Sequence, residues 1–505
     1  MRVLLINSNL KSDVLAAPPI GLCYVATATE NAGHEVKLLD LCFQRDIPQA
    51  LKRSIEVFGP DVVGISIRNI DNCNMLHPCS YLPEILEIIK RVRVLTDAHV
   101  VLGGSGASLY PKGVLEYLGA DYIVVSEGEQ AFPLLLDGLA QRKSLDQIPG
   151  IGVIRNGEFA LNPPSSIPFR QGSACVGKWV DLGPYQRMGS SYNIQTRRGC
   201  RQKCIYCTYN QLLEGRSLRL RDPVDVVDEI EEAFFKYRPE SFEFVDSVFN
   251  DPLDHCVEVL EEIASRPWKA QFTAMGVSPR GITKDFLKLL QRAGFGSFWV
   301  TPESASESMI RSYRKGFARD DIEKAAEAIR TTNFTVLWDF LIGGPGETNA
   351  TLQETLDFIV TGLVRDTRPP YYTVNLFLGL RAYPGTTLWE LALQECFFSE
   401  QSDPLRQLWY LSPSLDLPRA VEQMLEAARV CPEIISGIDE KYLPLSGIAS
   451  FIGRFVSIPK LYWRLMYAGN KLVRKTAIRL FFDSDKVVNG LSDQLRSQGY
   501  MGNRR

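Results

Sequence analysis

Three cysteines, Cys200, Cys204 and Cys207, crowd onto one short run, Arg198-Gly199-Cys200-Arg201-Gln202-Lys203-Cys204-Ile205-Tyr206-Cys207. Thiolates are soft donors that favour iron–sulfur clusters or zinc. Three on a single loop cap three corners of a cubane and leave the fourth iron open to another ligand. A closed zinc site requires a fourth Cys or His close by, and none lies within about twenty residues on either side. The spacing therefore points to a [4Fe–4S] cluster with one iron left open; a zinc site and a chance spacing are the alternatives. Gly199 lets the backbone turn where the loop begins. The remaining cysteines are scattered, and an odd total of 11 in a chain of this size argues against a disulfide framework.

The pattern Cys200-x-x-x-Cys204-Ile205-Tyr206-Cys207 resembles the signature of the radical S-adenosylmethionine (SAM) superfamily. Further pieces of that resemblance follow in order: Phe244-Val245-Asp246-Ser247, Thr301-Pro302-Glu303-Ser304, Lys315-Gly316, Leu341-Ile342-Gly343-Gly344-Pro345-Gly346-Glu347-Thr348 and Tyr383-Pro384-Gly385-Thr386. The resemblance implies that the open iron chelates SAM. It puts Tyr206 beside the adenine, Glu303 and Ser304 near the ribose and methionine, and Asp246, Gly343 and Gly344 among the SAM contacts. The Gly-Gly-Pro-Gly run has a second reading as strand-to-helix punctuation.

The elements that would position this loop form two alternating series. In the first, short Val/Ile/Leu-rich runs at 3–7, 35–39, 62–67, 100–102 and 122–125 alternate with helical patterns at 21–31, 48–58, 81–94, 112–118 and 129–139. This predicts a doubly wound, flavodoxin-like sheet of five buried parallel strands over 1–144. No Gly-x-Gly-x-x-Gly follows the first strand, which weighs against a dinucleotide site. Such sheets bind ligands at the carboxyl ends of their strands. There the chain has Asn7-Ser8-Asn9, residues 66–72, Gly103-Gly104-Ser105-Gly106 and Ser126-Glu127-Gly128-Glu129, all small or polar enough for a large ligand.

A Pro-, Gly- and Ser-rich stretch over 145–190, with an Asn156-Gly157 turn, is expected to be a linker holding a hairpin. The second series, over 191–390, predicts strands at 193–196, 241–245, 270–274, 297–300, 335–341 and 373–378. Helices are expected at 223–236, 253–263, 284–292, 318–330 and 351–361. Six such units are too few for a closed eight-stranded barrel, so a partial (β/α)6 barrel is expected, with the cysteine loop at its mouth. Residues 391–505 read as mainly helical. Within them, 451–482 lacks Asp and Glu but mixes seven Lys and Arg with aromatic residues. That stretch reads as a helical lid, as a peripheral membrane contact or as a nucleic-acid surface.

The order of sheet domain, linker and barrel resembles the cobalamin-binding radical SAM family. The matching pieces are Pro18-Pro19-Ile20-Gly21-Leu22, Ala32-Gly33-His34-Glu35-Val36, Asp61-Val62-Val63-Gly64-Ile65-Ser66, Gly103-Gly104 and the run from Asp121 to Glu129. The resemblance implies cobalamin contacts at Ser66, Arg68, Asn69, Gly103, Gly104, Ser105, Glu127 and Gly128. An Asp-x-His-x-x-Gly ligand motif is missing; His34 precedes the second strand and reads as a turn histidine. Cys73 and Cys79 are too poorly spaced for a second cluster and are expected to be inert.

Net charge of −3 gives no overall field toward nucleic acid, and none is expected as a partner. No run reaches the roughly 18 apolar residues of a membrane span, and Met1-Arg2 leads directly into a strand-like run, so a cytoplasmic enzyme is expected. The resemblance implies a C-methyltransferase acting on an unactivated carbon of a lipid or secondary-metabolite precursor. One SAM would methylate cobalamin, and a second would be cleaved to a 5′-deoxyadenosyl radical that activates the acceptor. It also implies an external one-electron donor of the flavodoxin or ferredoxin type. A cyclase or rearrangement enzyme using the same cofactors, and a non-catalytic cobalamin or cluster sensor, are the alternatives.

Overall fold

The computed structural model describes residues 1–10, 16–165, 172–363, 371–431, 433–436 and 484–498. Its first sheet holds β1 (Arg2–Asn7), β2 (Glu35–Asp40), β3 (Val62–Ser66), β4 (His99–Gly103), β5 (Tyr122–Val124), β6 (Ile151–Arg155) and β7 (Glu158–Leu161), in the order β2-β1-β3-β4-β5-β6-β7. The first five are parallel, as the alternating pattern predicts. Val3, Leu4, Leu5 and Ile6 of β1 are all buried, because helices cover both faces. The hairpin expected in a linker instead extends this sheet: β6 pairs antiparallel with β5, and β7 with β6. Composition misled here, because the Pro/Gly/Ser content belongs to the turns around the hairpin and not to its paired residues.

The second body begins at β8 (Tyr192–Ile194). The ribbon of β9 (Arg197–Arg198) and β10 (Arg219–Leu220) brackets the cysteine loop. Parallel pairing then joins β8 to β11 (Phe242–Phe244) and β11 to β12 (Phe272–Ala274). Single parallel bridges, Phe272 to Phe295 and Val277 to Val300, connect this wall to β13 (Ser297–Glu303). Next come β14 (Thr335–Ile342) and β15 (Tyr371–Leu378). These six strands match the expected partial barrel. A seventh, β18 (Ile434–Ser436), adds in parallel to β15, and a small pair, β16 (Leu380–Arg381) with β17 (Trp409–Tyr410), follows the sixth. The region expected to be mainly helical therefore completes the barrel wall. Three residues of Ile-Ile-Ser are too short to leave a periodic signal.

Buried polar contacts join the two bodies. Arg381 Nε donates to Asp71 Oδ2 at 2.9 Å, with both side chains almost fully buried. Tyr383 donates to Asp71 Oδ1 at 3.3 Å and lies 3.1 Å from Cys73 Sγ. Tyr185 donates to Asp40 at 2.8 Å, and Trp179 Nε1 donates to Thr27 Oγ1 at 2.8 Å. The first pair of residues ties the loop after β3 to the segment that follows β15, and the second ties the chain before β8 to the first sheet and its first helix. The basic stretch 451–482 lies outside the described residues, and no described helix is long and apolar enough to cross a membrane.

Candidate active site

The cysteine loop is held at several of its backbone groups. Gly199 sits at φ +83°, and a Cβ there would fall 2.1 Å from Ser217 O, so only glycine lets β9 pass into the loop against β10. Cys200 N donates to Gly215 O at 3.0 Å. A π-helical turn, Tyr209–Leu213, follows the third cysteine. From it the Gln211 amide donates to Cys204 O (3.0 Å), Ile205 O (3.2 Å) and Cys207 O (3.0 Å), while its oxygen accepts from Thr387 N. Asn210 takes Gln202 O at 2.7 Å. With its carbonyls occupied by side-chain amides, the loop turns its thiols elsewhere: Cys200 and Cys204 are buried, Cys207 is half-buried, and all three are free.

Among the described residues no three His, Cys, Asp or Glu side chains converge as a single metal ion requires. In a cubane each thiolate binds a different iron. Burial pushes the Cys204 thiol up, and the nearby Lys315 ammonium counteracts it. Lys315 forms a buried ion pair with Glu303, and its ammonium is 3.3 Å from Tyr206 Oη. Burial works against the charge on Lys315, but Glu303 and the thiols outweigh it. Glu303 holds φ +60° next to a register shift in β13, a strained position for a non-glycine residue. Tyr206, Glu303 and Lys315 thus form one cluster beside Cys204.

The other residues assigned to SAM from sequence have their polar groups engaged within the protein. Asp246 accepts from Thr196 N, Thr196 Oγ1 and Arg197 N at 2.8, 2.8 and 3.1 Å, tying the end of β11 to the start of the loop. Ser304 is buried and bonds Thr355 Oγ1 at 2.9 Å. The amides of Gly343 and Gly344 donate to Glu347, whose carboxyl burial raises to about 7. A Cβ on Gly344 would lie 2.2 Å from Tyr313. The Gly-Gly-Pro-Gly run is therefore a turn that closes β14 onto its helix. Gln211, Glu214 and Arg197 were not singled out from sequence. Glu214 accepts from Gly199 N at 2.9 Å, and the buried Arg197 guanidinium has no hydrogen-bond partner among the described residues and draws its counter-charge from Asp246.

At the rim of the first sheet, the loops after β3 and β4 interlock. Ile67 N donates to Gly103 O at 2.8 Å, Gly106 N to Ile67 O at 2.9 Å, and Ser105 Oγ to Arg68 O at 2.7 Å. Gly104 at φ +95° allows this, since a Cβ would stand 2.5 Å from Ile67 O. Arg68 and Asn69 are exposed, and Gly21 leaves open space where a Cβ would project, the bare surface that a broad planar ligand needs. Ser66, Arg68, Asn69, Gly103, Gly104 and Ser105 are thus brought together.

Glu127 and Gly128 also have partners within the protein. Glu127 pairs with Arg219 (2.5 Å) and Arg198 (3.7 Å), its side chain being 7% exposed, and Glu129 also pairs with Arg198. These carboxylates clamp the sheet onto the β9–β10 ribbon. Gly128 packs against Val25, where a Cβ would be 2.9 Å away. His34 bonds the amino terminus and His99 begins β4, so both lie at the end of the sheet away from the rim.

Comparison with known proteins places this geometry. Residues 9–136 match the family described as B12 binding domain, and 194–359 match the Radical SAM superfamily. The chain belongs to the cobalamin-binding radical SAM family. This family uses a [4Fe–4S] cluster, SAM and cobalamin. A tryptophan 2-C-methyltransferase of Streptomyces laurentii is 27% identical over 78% of this chain and 75% of its own length. An uncharacterized methyltransferase of Pyrococcus horikoshii is 24% identical over 78% of this chain and 83% of its own. The fold is shared with the radical SAM methyltransferase TsrM from Kitasatospora setae, solved with cobalamin and a [4Fe–4S] cluster bound. The TM-score is 0.78 and the identity 23%, over 93% of this chain and 99% of that one.

Proposed function

We propose that this cobalamin-binding radical SAM enzyme transfers a methyl group to an unactivated carbon of a small molecule, a lipid or secondary-metabolite precursor. The observation that supports it most is that the sheet rim lies against the barrel beside the cysteine loop. Arg68 of the rim reaches electrostatically to Glu243 and Tyr209 of the barrel, and Ser126 Oγ donates to Leu213 O at 2.6 Å, just beyond the cysteine loop. When bound, the cluster with SAM supplies a carbon-centred radical and cobalamin supplies the methyl group.

The residues do the positioning. Cys200, Cys204 and Cys207 hold the cluster, and Gln211 with Asn210 fixes their loop. Tyr206, Glu303 and Lys315 line the SAM side, with Lys315 able to meet a carboxylate. Ser66, Arg68, Asn69, Gly103, Gly104 and Ser105 hold cobalamin at the rim, and the Glu127 clamp keeps the rim facing the loop. Electrons come from an external one-electron donor of the flavodoxin or ferredoxin type. Methyl-labelled SAM and the reconstituted protein test the proposal in a metabolite extract. S-adenosylhomocysteine and a carbon-bound label in a new product are expected. A new product without label, with no S-adenosylhomocysteine, would replace methyl transfer by cyclisation or rearrangement.

A further inference from the structure

Alternate residues of the barrel strands face inward, and most are apolar or small. Two are carboxylates, each partnered by a carboxamide on the neighbouring strand. On β8 and β11, Asn193 Nδ2 donates to Glu243 Oε2 at 3.1 Å; on β14 and β15, Asn375 Nδ2 donates to Asp339 Oδ1 at 2.7 Å. The pairs stand two strands apart around the wall, with β12 and β13 between them. Burial raises Glu243 to about 7 and Asp339 to about 6. Arg68 offsets part of this at Glu243, while at Asp339 the neighbouring Glu303 adds to it.

Each carboxamide occupies one carboxylate oxygen, and the second oxygen of each carboxylate has no hydrogen-bond partner among the described residues. Asn193, 2% exposed, also has a buried Oδ1 without a partner. Two carboxylate oxygens and the buried Asn193 Oδ1 thus accept no hydrogen bond among the described residues. Beside them stand apolar side chains that a core would have covered: Met275 is 42% exposed, Phe377 on the face of Asn375 is 47% exposed, and Tyr209 is 45% exposed. Two carboxylates and no third converging ligand do not make a metal site. Acceptors around an apolar chamber suit an ammonium group carried on a ring or hydrocarbon body.

We propose that the Glu243–Asn193 and Asp339–Asn375 pairs form the acceptor subsite, and that the acceptor is an amine with an apolar, ring-sized body. The proposal rests on the methyl-transfer reading only in calling the ligand the acceptor. The amine sits on the carboxylates while Phe377, Met275 and Tyr209 cover its body, which fixes the carbon presented toward the rim.

Its test is equilibrium dialysis of the full chain, reconstituted with cluster and cobalamin and saturated with SAM, against 3-phenylpropylamine, 3-phenylpropan-1-ol and 3-phenylpropanoate. These share a ring and chain length and differ in charge. The amine is expected to bind about tenfold or more tighter than the alcohol, with the acid weakest. Asp339→Asn and Glu243→Gln together should remove most of that preference, the cluster and cobalamin absorbance reporting that the fold persists. The proposal is overturned if the alcohol or acid binds as well as the amine, or if no amine binds. It also fails if the amine binds only when SAM is left out, since the pairs then hold SAM, or if the double variant keeps the preference. Failure of methyl transfer with intact amine binding would count against the proposed reaction and leave the subsite standing.

Discussion

Cys204→Ala abolishes SAM cleavage in the reconstituted protein, with dithionite as reductant and chromatography of methionine and 5′-deoxyadenosine as the readout. The argument is one of ligand number. Three thiolates on one loop hold three irons, and the sequence places no other Cys or His within about twenty residues of them to replace the one lost. Cys204 is also the thiol next to Lys315 and Glu303, so its loss opens the corner nearest the proposed SAM contacts. Iron and sulfide content should fall together with turnover. Lys315→Met is the informative contrast: the cluster remains and the SAM concentration for half-maximal cleavage rises. Normal cleavage by the Cys204 variant would refute the assignment of the cluster to this loop.

The second large effect lies at the clamp between the two bodies. Glu127→Ala should cost about 3–5 kcal/mol of stability, the usual result of deleting one partner of a buried ion pair. Glu127 meets two arginines, Arg198 and Arg219, which stand directly opposite each other on the β9–β10 ribbon. Without the carboxylate, two like charges face each other with little solvent to screen them. The ribbon leads through Gly199 into the cysteine loop, so cobalamin retention and cluster occupancy should decline with stability. A Glu127→Leu, Arg219→Met double variant should recover part of the loss, because it removes the unpaired charge and retains apolar volume. Chemical denaturation of the single and double variants measures both effects. A Glu127→Ala protein as stable as the parent would show that the clamp holds nothing.

Residues whose meaning is local were legible in the sequence. The thiol spacing, the glycine before it and the strand–helix alternation of both bodies rest on neighbours along the chain. Asp246, Ser304, Gly343 and Gly344 were recognisable as important positions, but not as structural ones. Their partners are Thr196, Thr355 and Glu347, and for Asp246 and Ser304 only the folded barrel brings donor and acceptor together. Glu127 hid its partners for the same reason: two arginines from another body meet it, and only the fold brings them there. Glu243 and Asp339 did leave a signal. Each is a lone acid inside an apolar strand, Phe-Glu-Phe and Leu-Trp-Asp-Phe-Leu-Ile, where burial makes a charge costly and an unrecognised purpose is the ordinary explanation.

The central claim is that one chain holds an open-iron cluster and a cobalamin facing the same chamber. Anaerobic reconstitution in excess cobalamin tests it most directly, with unbound cobalamin removed and cobalamin content and SAM cleavage measured on the same sample. The account predicts stoichiometric cobalamin retained through the rim of β3 and β4, together with reductive cleavage of SAM. A protein that cleaves SAM while retaining no cobalamin would contradict it, leaving the cluster loop intact and the methyl group without a carrier.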